Sequence, residues 1–171
     1  IENGRLVLTV GEVDLRALAL EMETMFSQRC EESGIAFVIE FEGLAHPLVE
    51  GDGLRLQQVF MNMLGNAVKF TPAGGTVAIA AVREEATGDV LVTVSDNGIG
   101  IAPENQERIF ERFFQVDSTS TRKYNGSGLG LALVREYAAI QGFEVSVEST
   151  FGKGSTFVVR IPAAATVGEE G

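Results

Sequence analysis

The chain has 171 residues, 45% of them hydrophobic, which suits one globular domain with a core that needs no disulfide or structural metal. A formal net charge of −11 disfavours nucleic acid and anionic membrane as partners of the surface as a whole. Cys30 is the single cysteine, so an internal disulfide is excluded, and a reducing cytoplasm is the expected setting. No apolar run in the sequence approaches the length that spans a bilayer.

The pattern of apolar and polar residues predicts three main helices and five or six strands. Asp14 is a candidate N-cap, and Gly34 is a candidate helix end. In chain order the predicted elements are strand 5–10, helix 15–32, strand 35–41, a loop or short edge strand 42–51, helix 53–70, strands 76–82 and 90–95, a mobile loop 115–128, helix 129–141, and strands 143–149 and 155–161. Hairpin-connected strands and amphipathic helices favour an α+β fold, a two-layer α/β sandwich with one mixed sheet and the helices on one face.

Three polar side chains share one face of the second predicted helix, beside its apolar stripe. Asn62, Asn66 and Lys69 are spaced at i, i+4 and i+7, so they would line the edge of a cleft. An amide oxygen is a suitable ligand for Mg²⁺, and a lysine ammonium can contact phosphate oxygens. Taken alone, the spacing is more typical of a plain solvated helix face, so the neighbouring motifs must decide.

Two glycine-rich segments add to this pattern. Asp96 follows a predicted strand and begins the sequence Asp-Asn-Gly-Ile-Gly, where a carboxylate can accept a hydrogen bond from an exocyclic amine such as adenine N6. The first three of these residues, Asp-Asn-Gly, are also common in ordinary turns. Residues 126–131 lead into a helix and can surround phosphates with backbone N–H groups. They are not a Walker loop, because no Lys-Ser or Lys-Thr follows the last glycine.

In their order and combination these motifs resemble the histidine kinase branch of the GHKL ATPases, over nearly the whole chain. The resemblance implies the Bergerat ATP-binding fold, with a mobile ATP lid at residues 115–125. One departure is Gln141, since many relatives have paired glycines there. Residues 52–72 resemble the N box, 96–100 the first glycine box, Phe110-Glu111-Arg112-Phe113 the F box, 126–130 the second glycine box, and Gly154-Ser155-Thr156-Phe157 the closing strand.

The resemblance implies ATP and Mg²⁺ as cofactors and assigns roles to individual residues. Asn66 would be the metal ligand, Asn62 and Lys69 would face the phosphates as the catalytic residues, and Asp96 would read adenine N6. The other implied cofactor-binding residues are Phe70 and Ile101 on either side of the base, with Gly98, Gly100, Arg122, Lys123, Tyr124, Gly126, Gly128, Leu129, Gly130 and Thr156.

Position 62 separates the branches of this family. Hydrolytic relatives such as gyrase, mismatch-repair and chaperone ATPases carry a glutamate there to activate water, whereas this chain has Asn62. An amide cannot act as a general base at neutral pH, which favours phosphoryl transfer to a partner over hydrolysis. The alternatives are a GHKL ATPase, a nucleotide-sensing module without catalytic output, and a serine-directed kinase of the same fold.

The resemblance also places the chain within a longer protein. Residues 1–4 would end a dimerisation hairpin, 5–162 would form the catalytic ATP-binding domain, and 163–171 would be a flexible tail. His46 precedes a proline, which disfavours helical geometry, and it is expected to be an ordinary loop residue rather than the phosphoacceptor. The implied partners are ATP or ADP, the hairpin of the parent homodimer and the receiver domain of a response regulator. The fragment would be a cytoplasmic monomer, and its parent can be anchored in the bacterial inner membrane.

Overall fold

A computed structural model describes residues 8–111 and 130–165 of the chain. These ranges contain seven strands, three α-helices and two short 3₁₀ turns, Pro103–Asn105 and Ala163–Ala165. In chain order the strands and helices are β1 (Gly11–Asp14), α1 (Leu15–Ser33), β2 (Ala36–Glu40), β3 (Leu48–Gly51), α2 (Gly53–Lys69), β4 (Thr76–Arg83), β5 (Val90–Asp96), α3 (Gly130–Ile140), β6 (Glu144–Thr150) and β7 (Gly154–Ile161).

The main sheet has the strand order β2-β4-β5-β7-β6. β2 and β4 are parallel, while the three other neighbouring pairs are antiparallel, so the predicted mixed sheet is confirmed. Alternate residues of β4, β5 and β7 are buried, and they share one core with the apolar residues of the helices. The largest fully buried side chains are Phe60, Phe157, Leu15, Met22, Leu44, Leu56, Met63, Leu64, Ile79 and Ile161.

A second, two-stranded sheet corrects the prediction for the start of the chain. The strand predicted at 5–10 is wrong in its described part, because residues 8–10 are not a strand and β1 begins at Gly11. β1 pairs antiparallel with β3, Gly11 opposite Gly51 and Val13 opposite Val49. Val13 and Val49 are buried, whereas Val10 is 60% exposed, so burial beside β3 rather than local alternation sets the strand.

The two caps predicted for the first helix are confirmed, and the second helix has a similar N-cap. The Asp14 carboxylate accepts hydrogen bonds from the first-turn amides of α1, at 2.9 and 3.3 Å. Gly34 ends α1 in the left-handed conformation, with φ of +74°. Asp52 caps α2 and is only 5% exposed; its two carboxylate oxygens accept from the amides of Arg55, at 3.2 Å, and Thr9, at 2.9 Å.

Gln141, the departure from the family pattern, joins two distant parts of the fold. Its side-chain carbonyl accepts a hydrogen bond from the Asp52 amide at 2.7 Å, and its side-chain amide donates to the Tyr137 carbonyl at 2.9 Å. A Cβ at Gly51 would come within 2.8 Å of the same Gln141 oxygen. Gln141 therefore links the end of α3 to the start of α2.

An ionic cluster fastens the end of β7 to the β4–β5 turn. The Arg160 guanidinium lies 2.8 Å from a carboxylate oxygen of Glu84 and 2.7 Å from one of Asp89. The hydrogen bonds from Arg160 hold the pKa of both carboxyl groups below the usual range. The other Asp89 oxygen accepts from the Ala163 amide at 2.9 Å, so residues 163–165, placed in the predicted tail, form a 3₁₀ turn against it.

Two smaller observations bear on the sequence-based expectations. Cys30 is buried in α1, where burial raises the pKa of its thiol. Within residues 8–111 and 130–165, no helix is long and apolar enough to cross a membrane.

Candidate nucleotide-binding site

The polar face predicted on α2 lies at the border of the core. Asn62 and Asn66 are half-buried and stand one turn apart, and the residues that follow them, Met63 and Ala67, are buried. The pattern arises because α2 packs one apolar stripe against the sheet and leaves the adjacent strip to polar residues. Two amide groups are thereby held side by side on a rigid helix.

Lys69 and Phe70 stand at the end of this helix. Lys69 is the last residue of α2, and its ammonium lies 5.5 Å from the centre of the Phe70 ring. Burial and the nearby Arg29 guanidinium lower the pKa of Lys69. Two cations are therefore concentrated at one end of the helix layer, although the chain as a whole is acidic.

Asp96 ends β5 and begins the first glycine-rich loop, as predicted. One of its carboxylate oxygens accepts a hydrogen bond from the Gly98 amide at 2.9 Å, and the Ser155 backbone also hydrogen-bonds to the carboxylate. Burial raises the pKa of this half-buried group in spite of these bonds. A carboxylate has about four acceptor positions, so capacity remains for a ligand amine.

Gly98 and Gly100 are required because other segments of the backbone approach this loop closely. A Cβ at Gly98 would overlap the carbonyl oxygen of Phe70 and lie 3.0 Å from its carbonyl carbon. Gly100 has φ of +74°, and a Cβ there would overlap the Thr150 carbonyl oxygen. The loop is therefore pressed between the end of α2 and the β6–β7 hairpin, which brings Phe70 close to the start of the loop.

Ile101 and Thr156 complete the predicted base-binding end. Ile101 is 8% exposed, and its amide donates to the Ser149 hydroxyl at 2.7 Å. Thr156 is half-buried on β7, where it pairs with Ser95, directly beside the pairing of Asp96 with Ser155. The register of β5 and β7 thus places Thr156 next to the Asp96 loop.

The start of α3 meets the polar face of α2. A Cβ built on Gly130 would lie 3.9 Å from the side-chain carboxamide carbon of Asn62. The structure therefore brings the last glycine of the second box to the predicted phosphate end. The other predicted residues of this region, Arg122, Lys123, Tyr124, Gly126, Gly128 and Leu129, lie outside the described residues, as does the predicted lid at 115–125.

The described part of the F box packs against the sheet and α3. The Phe110 ring lies edge-on to Phe157, with 6.0 Å between their centres, and the Arg135 guanidinium lies 5.4 Å from the Phe110 ring centre. Arg112 and Phe113 lie outside the described residues. Phe110 therefore connects the segment that follows the first glycine-rich loop to α3, the helix that follows the second glycine-rich loop.

Sequence reasoning missed two side chains beside the base-binding loop. Gln106 donates to the carbonyls of Ile101, at 2.9 Å, and Ser149, at 3.0 Å, while Ser149 binds the Ile101 amide. Ser149 shares the half-buried face of β6 with Val145 and Val147, and a serine at an inward position of an alternating strand is a signal that could have found it. Gln106 carries no such signal.

Other parts of the surface are less suited to a nucleotide. An open groove of about 320 Å³ between β1, α1 and α2 contains none of the predicted site residues, and its carboxylates, Glu12, Asp14 and Glu21, would repel phosphate. His46 is exposed in the loop before β3.

Among the described residues, no three His, Cys, Asp or Glu side chains are grouped to hold a metal ion. A hard cation at this site would therefore depend on amide oxygens such as that of Asn66 and on oxygens of the ligand.

Curated relatives match nearly the whole chain. The autoinducer 2 sensor kinase/phosphatase LuxQ of Vibrio vulnificus strain YJ016 is 37% identical over 165 residues, which are 95% of this chain and 19% of LuxQ. The circadian input-output histidine kinase CikA of Synechococcus elongatus is 37% identical over 164 residues, 95% of this chain and 21% of CikA. The chain thus spans about a fifth of the length of the curated relatives it matches.

Solved structures have the same fold. Full-length ShkA in complex with AMPPNP is 35% identical with a TM-score of 0.81, covering 95% of this chain and 32% of ShkA. The nucleotide-free catalytic domain of the histidine kinase ThkA is 28% identical with a TM-score of 0.77, covering 91% of this chain and 99% of that domain. ThkA in complex with the response regulator protein TrrA is 27% identical with a TM-score of 0.73, covering 94% of this chain and 43% of ThkA.

The fold and the candidate site together define a nucleotide-binding domain of the ATPase type. Its site is formed by α2, which carries the N box, and by the glycine-rich loop at the end of β5. The chain belongs to the histidine kinase-, DNA gyrase B-, and HSP90-like ATPase family, whose model matches residues 51–165. The relatives just described are sensor histidine kinases and their catalytic domains, so the predicted family and the predicted α+β fold are confirmed.

Proposed function

We propose that this chain binds Mg-ATP and supports transfer of the γ-phosphate to a histidine on a dimerisation hairpin outside the chain. The observation that carries the proposal is the meeting of three separate segments: the polar face of α2, the Asp96 loop and the start of α3. Gly98 touches Phe70 at the end of α2, and Gly130 approaches Asn62 on its face. Each segment is weak evidence alone, but together they offer a base end and a phosphate end on one helix.

At the base end, Asp96 supplies the acceptor for the adenine amine. Its carboxylate is fixed by the amide of Gly98 and the backbone of Ser155, so it need not reorganise when a ligand binds. Gly98 and Gly100 let the loop that carries Asp96 pack against the carbonyls of Phe70 and Thr150, since neither position has room for a Cβ. Phe70 and Ile101 would flank the ring, with Thr156 beside the acceptor.

At the phosphate end, Asn66 fits the role of Mg²⁺ ligand because it offers a hard amide oxygen on a half-buried helix face. Bound Mg²⁺ would neutralise charge on the phosphates. Asn62 and Lys69 would contact phosphate oxygens, and the N-terminal end of α3 at Gly130 adds a favourable dipole. The proposed lid and loop contacts are Arg122, Lys123, Tyr124, Gly126, Gly128 and Leu129.

Transfer is favoured over hydrolysis by the chemistry of position 62. Asn62 approaches Gly130, where a γ-phosphate would lie, and an amide there cannot remove a proton from water. By name LuxQ is a sensor kinase/phosphatase and CikA is a histidine kinase. ShkA was solved with AMPPNP, and ThkA was solved with a response regulator. These relatives support the proposal that the parent passes phosphate from a histidine to a response regulator.

The organisation of the parent is part of the same proposal. Residues 1–4 would end the dimerisation hairpin, 5–162 would be the catalytic domain and 163–171 would be the tail. The parent would be a homodimer whose catalytic domain lies in the cytoplasm, whether or not the parent is membrane-anchored. His46 is unsuited as the acceptor, because it precedes Pro47 in a loop before β3 and lies among none of the site segments.

Calorimetric titration of the 171-residue chain with AMPPNP, with and without Mg²⁺, tests the binding step. We expect saturable, Mg²⁺-dependent binding that Asn66→Asp and Asp96→Asn each weaken at least about tenfold. Both residues line a cleft rather than fill the core, so circular dichroism should show an intact fold. Glu23→Gln, an exposed change on α1, is the control and should bind normally. Unchanged binding in either site variant would remove that residue's role.

Reconstitution with a histidine hairpin from a sensor kinase separates kinase from ATPase. With γ-labelled ATP, a kinase gives acid-labile phosphohistidine on the hairpin and little free phosphate. An ATPase releases phosphate without the hairpin, and a purely sensory module binds ATP but does neither.

A further inference from the structure

The backbone of Ile101 lacks a strand or helix to satisfy its polar groups. Ile101 is 8% exposed and lies after β5 and before the 3₁₀ turn Pro103–Asn105. Its amide donates to the Ser149 hydroxyl at 2.7 Å, and its carbonyl accepts from the Gln106 side-chain amide at 2.9 Å. Buried backbone groups need hydrogen-bond partners. These two side chains supply the partners that a neighbouring strand would otherwise provide.

Gln106 bridges two segments with one amide group. Its nitrogen carries two N–H donors, one directed to the Ile101 carbonyl and the other to the Ser149 carbonyl on β6 at 3.0 Å. The base-binding loop, residues 96–101, is thereby tied to β6 by Gln106 as well as by the Ser149 hydroxyl. Gln106 and Ser149 are 43 residues apart in the sequence, and Ile101 and Ser149 are 48 residues apart.

The Ser149 hydroxyl connects the loop to the segment that holds Asp96. Its oxygen lies 2.9 Å from the Gly154 carbonyl and 2.8 Å from the hydroxyl of Ser155. A hydroxyl has one proton, so when Ser149 donates to Gly154, the Ser155 hydroxyl donates to Ser149, and every group is satisfied. Ser155 is 7% exposed and pairs with Asp96 between β7 and β5.

We propose that Ser149 and Gln106 are positioning residues that hold the base-binding loop in register with the β6–β7 hairpin, and so set the affinity and selectivity of the site for adenine. This inference rests on the proposed function, because it assigns the loop to a nucleotide base. Neither side chain contacts the base in this scheme. They act through Ile101, which would flank the ring, and through the hairpin whose Ser155 fixes the Asp96 acceptor.

The test compares side-chain deletions with matched controls in the 171-residue chain. Ser149→Ala and Gln106→Met remove the ties while roughly preserving volume. Ser146→Ala is the control on the same strand, since Ser146 is exposed, and Ser149→Thr restores a hydroxyl. Affinities for AMPPNP and for its guanosine counterpart are measured with Mg²⁺, beside thermal unfolding of the free proteins.

We expect Ser149→Ala and Gln106→Met each to weaken AMPPNP binding about tenfold while leaving the weaker binding of the guanosine analogue unchanged. The ratio of the two dissociation constants should therefore fall about tenfold. Ser146→Ala and Ser149→Thr should stay within about twofold of the unaltered chain. A purely structural role would lower the unfolding temperature without changing this ratio.

The outcomes separate the inference from the proposed function. If the unaltered chain binds AMPPNP and both deletions keep its affinity and its adenine preference, the positioning role is wrong and the proposed function stands. Equal weakening for both nucleotides would also overturn it, because the loop would then not act on the base. If the unaltered chain binds neither nucleotide, the proposed function fails and this inference fails with it.

Discussion

Gly100 and Gly142 form a matched pair that measures how tightly the base-binding loop is packed. Both have left-handed backbones, with φ of +74° and +81°, so alanine at either position costs about 1–2 kcal/mol of conformational energy. A Cβ at Gly142 would meet no atom within 4 Å. A Cβ at Gly100 would overlap the Thr150 carbonyl oxygen and lie 2.9 Å from the Phe151 Cα, so only Gly100→Ala forces backbone to move.

The expected loss of stability follows from these two terms. Gly142→Ala should lower the free energy of unfolding by about 1–2 kcal/mol, the conformational term alone. Gly100→Ala adds the displacement of neighbouring backbone, which resembles overpacking and costs about 1–3 kcal/mol. Its total loss should therefore be about 2–5 kcal/mol. The displaced loop should also bind AMPPNP more weakly, whereas Gly142→Ala should leave binding unchanged.

Urea unfolding followed by far-ultraviolet circular dichroism provides the assay, since the chain contains no tryptophan to report by fluorescence. Unfolding midpoints and slopes are compared for the unaltered chain and the two variants, followed by titration with AMPPNP. Equal stability losses in Gly100→Ala and Gly142→Ala would refute the steric argument. Full nucleotide affinity in Gly100→Ala would refute the assignment of this loop to the base.

Two further predictions concern stability. Asp52→Ala should lower the free energy of unfolding by about 2–3 kcal/mol, against about 1 kcal/mol for Asp14→Ala. The difference arises because the Asp52 carboxylate is buried and binds a second, distant amide. Urea unfolding midpoints of the two variants test this order, and a larger loss in Asp14→Ala would contradict it. Glu84 and Asp89 have lowered pKa values, so they contribute stability above the unfolded pKa of about 4, and this is lost as pH falls through their folded values. The urea midpoint should fall less between pH 6 and pH 3 in Arg160→Met than in the unaltered chain, and an equal fall would exclude the cluster as the cause.

Features with local causes could be predicted from the sequence. The apolar stripe of α2 lies within the 17 residues that directly follow Asp52, so the helix and its polar face could be predicted from local sequence. Hairpin β4–β5 was found because β-branched runs flank a polar turn. The first strand was misplaced because residues 5–10 alternate as a strand does, while the pairing that fixes β1 is with β3, far along the chain.

Features held by distant partners could not be predicted. Gln141 departs from the family pattern, and its hydrogen bond to the cap residue of α2, 89 residues away, has no local signal. The alternation of β6 marks Ser149 as an inward serine but does not identify its partner, and Gln106 has no local signal for a partner 43 residues away. The meeting of Asn62 with Gly130 likewise depends on helix packing, although the family resemblance implied it.

The parallel pairing of β2 with β4 has a consequence for how the chain folds. β3 and α2 lie between these strands in sequence, so the helix that carries Asn62 and Asn66 is part of their crossover connection. The hairpins β4–β5 and β6–β7 can close from a turn, but the parallel pair must first lose the entropy of a long loop. We therefore expect hairpins to form early and the ligand site late, so that a newly made chain passes through species with native strands and no capacity to hold a nucleotide.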